Sequence, residues 1–365
     1  MLKKRLQKTA IALVASLTMG TASAELINLT YDATDFESPD GQLALAGFQE
    51  AASFWSNLFT DDVTVNLGIG FSALDSGVIA QASSNSGLYL YQDVAVAMIG
   101  DASSVFDEVA NTTLPCDDQG NGVCNVAFVD QENPDSLVRP ELDNDGSVDN
   151  FALEVTQANA KALGLSTDGF DELDANLTFS SELDFDFTRD DGISAGLFDF
   201  VGVAIHEIGH ALGFVSGVDT YDFVYNSNFI DPNIDLDPFV VASTLDLFRF
   251  SPESLLEGIG VRDFSPSNSS YFSIDNGLTS IAQFSTGSFG GDGQQASHFK
   301  DGLDLGIMDP TLARGEFADV TAIDLLAFDV IGWDLNLVPV PAPSTVALFG
   351  LVVGTMAFTR RRRNK

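Results

Sequence analysis

Histidine is close to absent from this sequence. Only three occur in 365 residues, at positions 206, 210 and 298, so no imidazole is left over for general surface duties. Basic residues are scarce too: 16 Lys and Arg stand against 53 Asp and Glu, for a net charge of -37. A surface of that sign repels phosphate backbones and anionic lipid, which argues against nucleic acid as a partner. Cysteine is limited to Cys116 and Cys124. Zinc ligation by this pair would need two more ligands nearby, and none is visible. The two flank a polar turn and read as a local disulfide, adding about 2 kcal/mol.

The apolar runs that bear on targeting stand at the ends. Lys3, Lys4, Arg5 and Lys8 precede the run Thr9 to Gly20, and Ala22-Ser23-Ala24 follows. That is the layout of a secretory signal peptide over residues 1–24. At the other end Val338-Pro339-Val340-Pro341-Ala342-Pro343-Ser344 leads into 14 mostly apolar residues, Thr345 to Phe358, and then Arg360 to Arg363. Such a run makes a marginal span held by a positive-inside anchor. Loss of both ends removes nine basic and no acidic residues, moving the net charge from -37 to -46. A charge of that size suits salty surroundings or bound divalent cations.

Between the ends the pattern is α+β. Phe48, Ala52, Trp55 and Phe59 recur at helical spacing, predicting a helix from Gly47 to Phe59. Val63 to Phe71 alternates with period two, as a half-buried strand does. A second helical stretch is expected over Tyr91 to Ala110, then a strand at Val126 to Val129 and a hairpin at Asp145-Gly146. Glu141 to Asp149 also hints at a calcium loop. An EF-hand counted from Glu141 would need Glu at its twelfth position, where Ala152 stands, so a tight turn is the preferred reading. Leu177 to Ser180 and Asp184 to Phe187 are expected strands, either of which could form the edge beside a substrate. Thr321 to Ile331 reads as a helix capped by Thr321 with Asp324, closed by Gly332.

The chemistry concentrates in His206-Glu207-Ile208-Gly209-His210. Residues four apart share one helix face, so His206 and His210 can grip one metal ion while Glu207 enters the same cleft. The expected helix runs from Asp199 to Gly213, with Phe198, Val201, Ile205, Ile208 and Leu212 toward the core and Gly213 ending it. Three imidazoles with an open fourth position suit a catalytic Zn2+. The third is expected from His298; Asp219 and Asp222, just past the helix, are the alternatives.

The stretch His206-Glu207-Ile208-Gly209-His210-Ala211-Leu212-Gly213-Phe214 resembles the active-site helix of the metzincin zinc peptidases. Most of them place a third ligand three residues after that glycine, where this chain has Ser216. The leishmanolysin-like branch displaces the third histidine far downstream. Ser297-His298-Phe299 fits that arrangement, and Ile307-Met308-Asp309-Pro310 resembles the Met-turn beneath the metal. Met308 in an ordinary turn is the other reading. The Pro-rich, apolar and Arg-rich tail resembles the PEP-CTERM sorting signals of Gram-negative bacteria, with Val340 where Glu is usual. Together with Asp324 to Trp333, the chain looks like exported PEP-CTERM metalloproteases.

The resemblance implies a two-lobed zinc peptidase with a mixed-sheet N-terminal lobe (25–214), an irregular C-terminal lobe (215–335) and a sorting tail (336–365). It implies cleavage of a protein or peptide substrate, with Glu207 as general base toward a zinc-activated water. It further implies export, transient anchoring in the inner membrane through the tail, processing by an exosortase-type enzyme, and a final place at the cell surface or outside the cell. A matrix or adhesion protein that keeps zinc only for stability is the competing function. Trimming of its own chain or of neighbouring PEP-CTERM proteins is a third.

Overall fold

The computed structural model describes residues 26–114, 117–118, 122–130, 141–231, 234–266 and 269–336. The signal stretch 1–24, Cys116 and all of the sorting tail but Asn336 lie outside the described residues. Among the described residues no cysteine is free, Cys124 included, and no helix is long and apolar enough to cross a membrane.

Strand β1 (Ile27–Thr30) leads through a short 3-10 turn into helix α1 (Pro39–Leu58), and strand β2 (Val65–Ser72) follows. Helix α1 begins two turns before the expected Gly47. Ser38 is its cap, its hydroxyl accepting from Gly41 N–H, and Pro39 occupies the first turn, where a missing N–H costs nothing. Ala44, Phe48, Ala51, Ala52 and Trp55 are buried along one face. A Cβ on Gly47 would stand 2.5 Å from the Phe200 ring, so glycine lets this helix approach the metal-motif helix closely.

Next come β3 (Ala80–Ser84), β4 (Ser86–Leu90), α2 (Tyr91–Asp101) and α3 (Val105–Asn111). The single helix expected over Tyr91 to Ala110 is therefore two. Ser104 breaks it, because its side chain and that of Asp107 form a reciprocal capping box that starts a new helix. Short strands β5 (Asp117–Asp118), β6 (Cys124–Asn125), β7 (Phe128–Asp130) and β8 (Glu141–Asp143) precede helix α4 (Val148–Phe151). Asp145-Gly146 does not turn a hairpin as expected. With Gly146 at φ 83°, it carries the chain from β8 into α4, while the β8 partner is β7.

Strand β9 (Ala152–Thr156) pairs with β4, and helix α5 (Gln157–Ala162) leads on to β10 (Ala175–Ser180). β1, β2 and β10 are parallel, and β3 is added antiparallel, giving the order β1-β2-β10-β3. This mixed sheet carries α1 and the metal-motif helix. The two-residue pair β11 (Phe185–Asp186) and β12 (Phe198–Asp199) then brings the chain to α6 (Phe200–Ala211). Phe198 thus belongs to a strand before the helix and not to its core stripe. Phe48, Phe179 and Phe185 surround Phe200 with ring centroids 4.9–5.2 Å away, fixing the start of α6 on the sheet.

After α6 come α7 (Val218–Asn226), β13 (Arg249–Phe250), α8 (Pro252–Glu257), β14 (Arg262–Asp263), β15 (Tyr271–Phe272) and β16 (Ala282–Gln283), and last α9 (Ala322–Val330). β14 pairs with β7, so one small sheet joins chain from either side of residue 214. The apolar core is likewise one cluster drawing on both parts. The fold class is α+β.

Candidate metal centre

Helix α6 is held along its length before its histidines matter. Asp199 caps it, accepting from Gly202 N–H at 2.9 Å, and its buried carboxylate meets Arg189 at 2.8 Å. The two tryptophans of the chain both donate to its carbonyls, Trp55 Nε1 to Ile205 O at 3.0 Å and Trp333 Nε1 to Leu212 O at 2.8 Å. Val201, Ile205, Ile208 and Leu212 face the core as expected. The helix ends at Gly213, whose φ of 117° is a conformation that L side chains rarely adopt. That turn swings the Phe214 carbonyl back onto His210, 2.7 Å from Nδ1.

The structure brings His206, His210 and His298 together. Their Nε2 atoms form a triangle with edges of 3.1, 3.1 and 3.3 Å. Each opposite nitrogen is already committed: Nδ1 of His206 donates to Ile307 O (2.7 Å), of His210 to Phe214 O, and of His298 to Gln295 O (3.2 Å). A carbonyl can only accept, so Nδ1 carries the proton in every ring and each Nε2 presents a lone pair. Three lone pairs converging at this distance repel unless a cation sits among them. Tetrahedral zinc with Zn–N of about 2.0–2.1 Å separates its nitrogen ligands by about 3.3 Å. The triangle is of that size, and the carbonyl partners are the outer shell that fixes a ligand tautomer.

Burial and the neighbouring imidazoles push all three histidines down to about 3, so they are neutral and ligand-competent at any ordinary pH. Burial raises Glu207 to about 7. Its side chain faces the space beside the triad.

The third histidine is placed by carboxylates. Asp219 accepts from Ala296 N–H (2.6 Å), Ser297 N–H (3.1 Å) and Ser297 Oγ (2.5 Å), clamping the residues just before His298. Asp222 accepts from Phe289 and Gly290 N–H, tying down the glycine-rich loop. Neither carboxylate joins the histidine group. Both start from α7, so they position the returning segment. Ser216 donates to Asp246 at 2.6 Å, which also holds Gly217 and Ser243. Arg249, fully buried, donates to Ser285 O and Ala296 O from the other side.

Met308 is fully buried beneath the triad. A Cβ on Gly209 would come within 2.7 Å of its Sδ, so the glycine between the two histidines admits the thioether against the helix. Asp324 holds this turn. It accepts from Ile307 N–H at 3.0 Å and Met308 N–H at 3.2 Å while completing the capping box of α9 with Thr321. The sequence had marked Asp324 only as a cap; its second role needs the turn to be folded against it.

A cleft of about 780 Å3 opens over the histidines, walled by Ala80 to Ser84, Thr220, Ser243 and Gln295. A second hollow of about 520 Å3, lined by Val78, Ile79, Val203, Leu312 and Phe317, shares Ala80, His206, Glu207 and Pro310 with the first. A groove therefore passes across the site. Its wall strand is β3, not the expected Leu177 to Ser180, which lies inside the sheet as β10 between β2 and β3. Nor is it Asp184 to Phe187, which pairs only as β11 with β12. The Ala-Gln-Ala-Ser-Ser sequence of β3 has no apolar alternation to reveal it. Ser180 N–H donates to Ile79 O and Asn85 N–H to Asp174 O. Antiparallel alternation then turns residues 79, 81, 83 and 85 toward β10 and leaves the backbone groups of Ala80, Ala82 and Ser84 on the open edge.

No protein family, curated protein or solved structure matches this chain.

Proposed function

We propose that this chain is a zinc-dependent endopeptidase. The observation that carries the reading is the set of three Nε2 lone pairs at 3.1–3.3 Å, each fixed by an Nδ1–H bond to a carbonyl, with Glu207 lining the same cleft. His206, His210 and His298 would hold the ion. Bound there, zinc supplies a Lewis acid that polarises a carbonyl and acidifies water.

The remaining work belongs to the side chains. Glu207, with burial holding its proton affinity near neutrality, is suited to take a proton from water and return it to the departing amine. A nearby dication shifts the balance toward its carboxylate. An extended peptide can add to β3 through the exposed backbone groups of Ala80, Ala82 and Ser84. Hollows on both sides of Glu207 suit a cut within a chain, the second one mixing apolar walls with the carboxylates of Asp304, Asp309, Glu316 and Asp319. Met308 packs below and does not ligate. Within this reading the arrangement is metzincin-like, with the third histidine displaced as in the leishmanolysin-like branch. The end segments support an exported, PEP-CTERM-type route.

The test pairs metal quantification with digestion of casein by the full chain. Glu207→Gln is expected to keep one zinc per chain and to lower kcat by roughly 10²–10⁴-fold, the range of a lost general base. A variant that digests casein at the wild-type rate sinks the proposal. Wild-type protein that holds zinc yet cleaves nothing favours the structural or adhesive alternative.

A further inference from the structure

Away from the histidine group, Asp143 at the end of β8, Asp149 in α4 and Asp237 in the segment after α7 bring one carboxylate oxygen each to within 4.8 Å of one another. Two of these acids use one oxygen in a hydrogen bond and leave the other without a partner. Asp143 Oδ1 accepts from Asn150 Nδ2 at 3.2 Å, and Asp149 Oδ1 accepts from Ser147 Oγ at 2.6 Å. Oδ2 of each is enclosed and has no hydrogen-bond partner, although Asp149 is only 3% exposed.

A residue outside the acidic group points the same way. Tyr221, on α7, is 1% exposed, and its buried hydroxyl has no partner. Burial raises its proton affinity first, and the charges that add to this are those of Asp149, Asp130, Asp143 and Tyr225. Burying a hydroxyl and two carboxylate oxygens without partners is unfavourable unless something meets them.

We propose that Asp143, Asp149 and Asp237 form a Ca2+ site, with the Tyr221 hydroxyl at its inner wall. The donors are all oxygen, which selects a hard cation over zinc. A calcium shell of radius about 2.4 Å spans about 4.8 Å, so three oxygens that all lie within 4.8 Å of one another can share one ion. Asp237 is only half-buried, leaving room for water to complete the shell. This is not an EF-hand loop, since the ligands come from two separate stretches of chain.

The site has a task. Asp237 lies just before Val241 and Ser243, which line the groove, and Ala242 O accepts from Glu154 N–H at 2.9 Å. Calcium would clip this wall segment to β8 and α4, on the other side of the 214 boundary. The zinc peptidase reading is not needed for the clip itself.

Chelator-treated full-length protein, reloaded with one equivalent of zinc, is titrated with CaCl2 and followed by calorimetry and thermal melting. One calcium per chain with a raised melting temperature is expected, together with slower proteolytic nicking between residues 234 and 243. Asp237→Asn, at a surface segment, and Asp149→Asn should each weaken calcium binding roughly tenfold or more while zinc content stays at one. No calcium heat and no melting shift in the wild type overturns the site, as does an undiminished response in both variants. An equal response to MgCl2 at the same concentration overturns the calcium assignment. Casein digestion, measured in parallel, fails or succeeds independently of these outcomes.

Discussion

Replacing His298 by alanine separates the displaced-ligand arrangement from every other use of this histidine. The side chain is 6% exposed, and its Nε2 stands 3.1 Å from that of His210 and 3.3 Å from that of His206. Four-ligand structural zinc sites release roughly 10–16 kcal/mol, or about 2.5–4 kcal/mol per ligand. With about 1.4 kcal/mol for each factor of ten, zinc affinity should fall roughly 10²–10³-fold. The alanine leaves Asp219 and its bonds to Ala296 and Ser297 in place, so the segment still docks and the folded protein remains available for measurement. The assay is chelator competition with a zinc-sensitive dye, alongside circular dichroism to confirm folding. A folded variant that binds zinc within threefold of wild type refutes the triad. Asp219 would then have to abandon three hydrogen bonds to ligate, and Asp219→Asn in the His298→Ala background would expose that.

Further outcomes follow from the same geometry. Ala82→Pro removes an N–H from the open edge of β3 without touching the ladder to β10, so KM for a protein substrate should rise about 3–10-fold at unchanged melting temperature, read from initial rates. Asp324→Ala strands the buried N–H groups of Ile307 and Met308 and the part-buried one of Thr321, and urea unfolding should show a loss of about 2–5 kcal/mol. For protein free of metal, Asp61, Asp101, Asp149, Asp329 and Glu207 are all raised to about 7, chiefly by burial. The folded state then binds more protons than the unfolded one above the ordinary carboxylate range, so stability falls as pH rises through about 7. The three histidines, lowered to about 3, act oppositely but only below about 6.5. Melting temperature should therefore drop between pH 6.5 and 8; a rise over that interval contradicts the assignment.

The two helices that build the centre were readable because each follows from local rules. The α6 stripe, the His206–His210 spacing and the Gly213 stop need only helical periodicity and a glycine's access to positive φ. The same is true of Thr321 and Asp324 at the start of α9. Reading failed where local signals were weak or absent. β3 carries small polar residues on a strand whose partner, β10, is about a hundred positions away in the chain, so its role as the groove edge comes from pairing alone. Ser38 and Ser104 set helix ends that apolar spacing could not locate.

What the sequence by itself determined is the chemistry available: three imidazoles, a glutamate between two of them, and an acidic chain with almost no basic partners. Ligand identity is a matter of residue type, and scarcity left few choices. Only the tertiary structure decided that His298 completes the group while Asp219 and Asp222 support it. The same residue types sit within reach in either case, and the difference lies in where residues 214 to 297 fold back. Asp143, Asp149 and Asp237 show the same division. The first two were visible in one acidic turn, but the third comes from a segment nearly ninety residues on that meets them only in the folded chain.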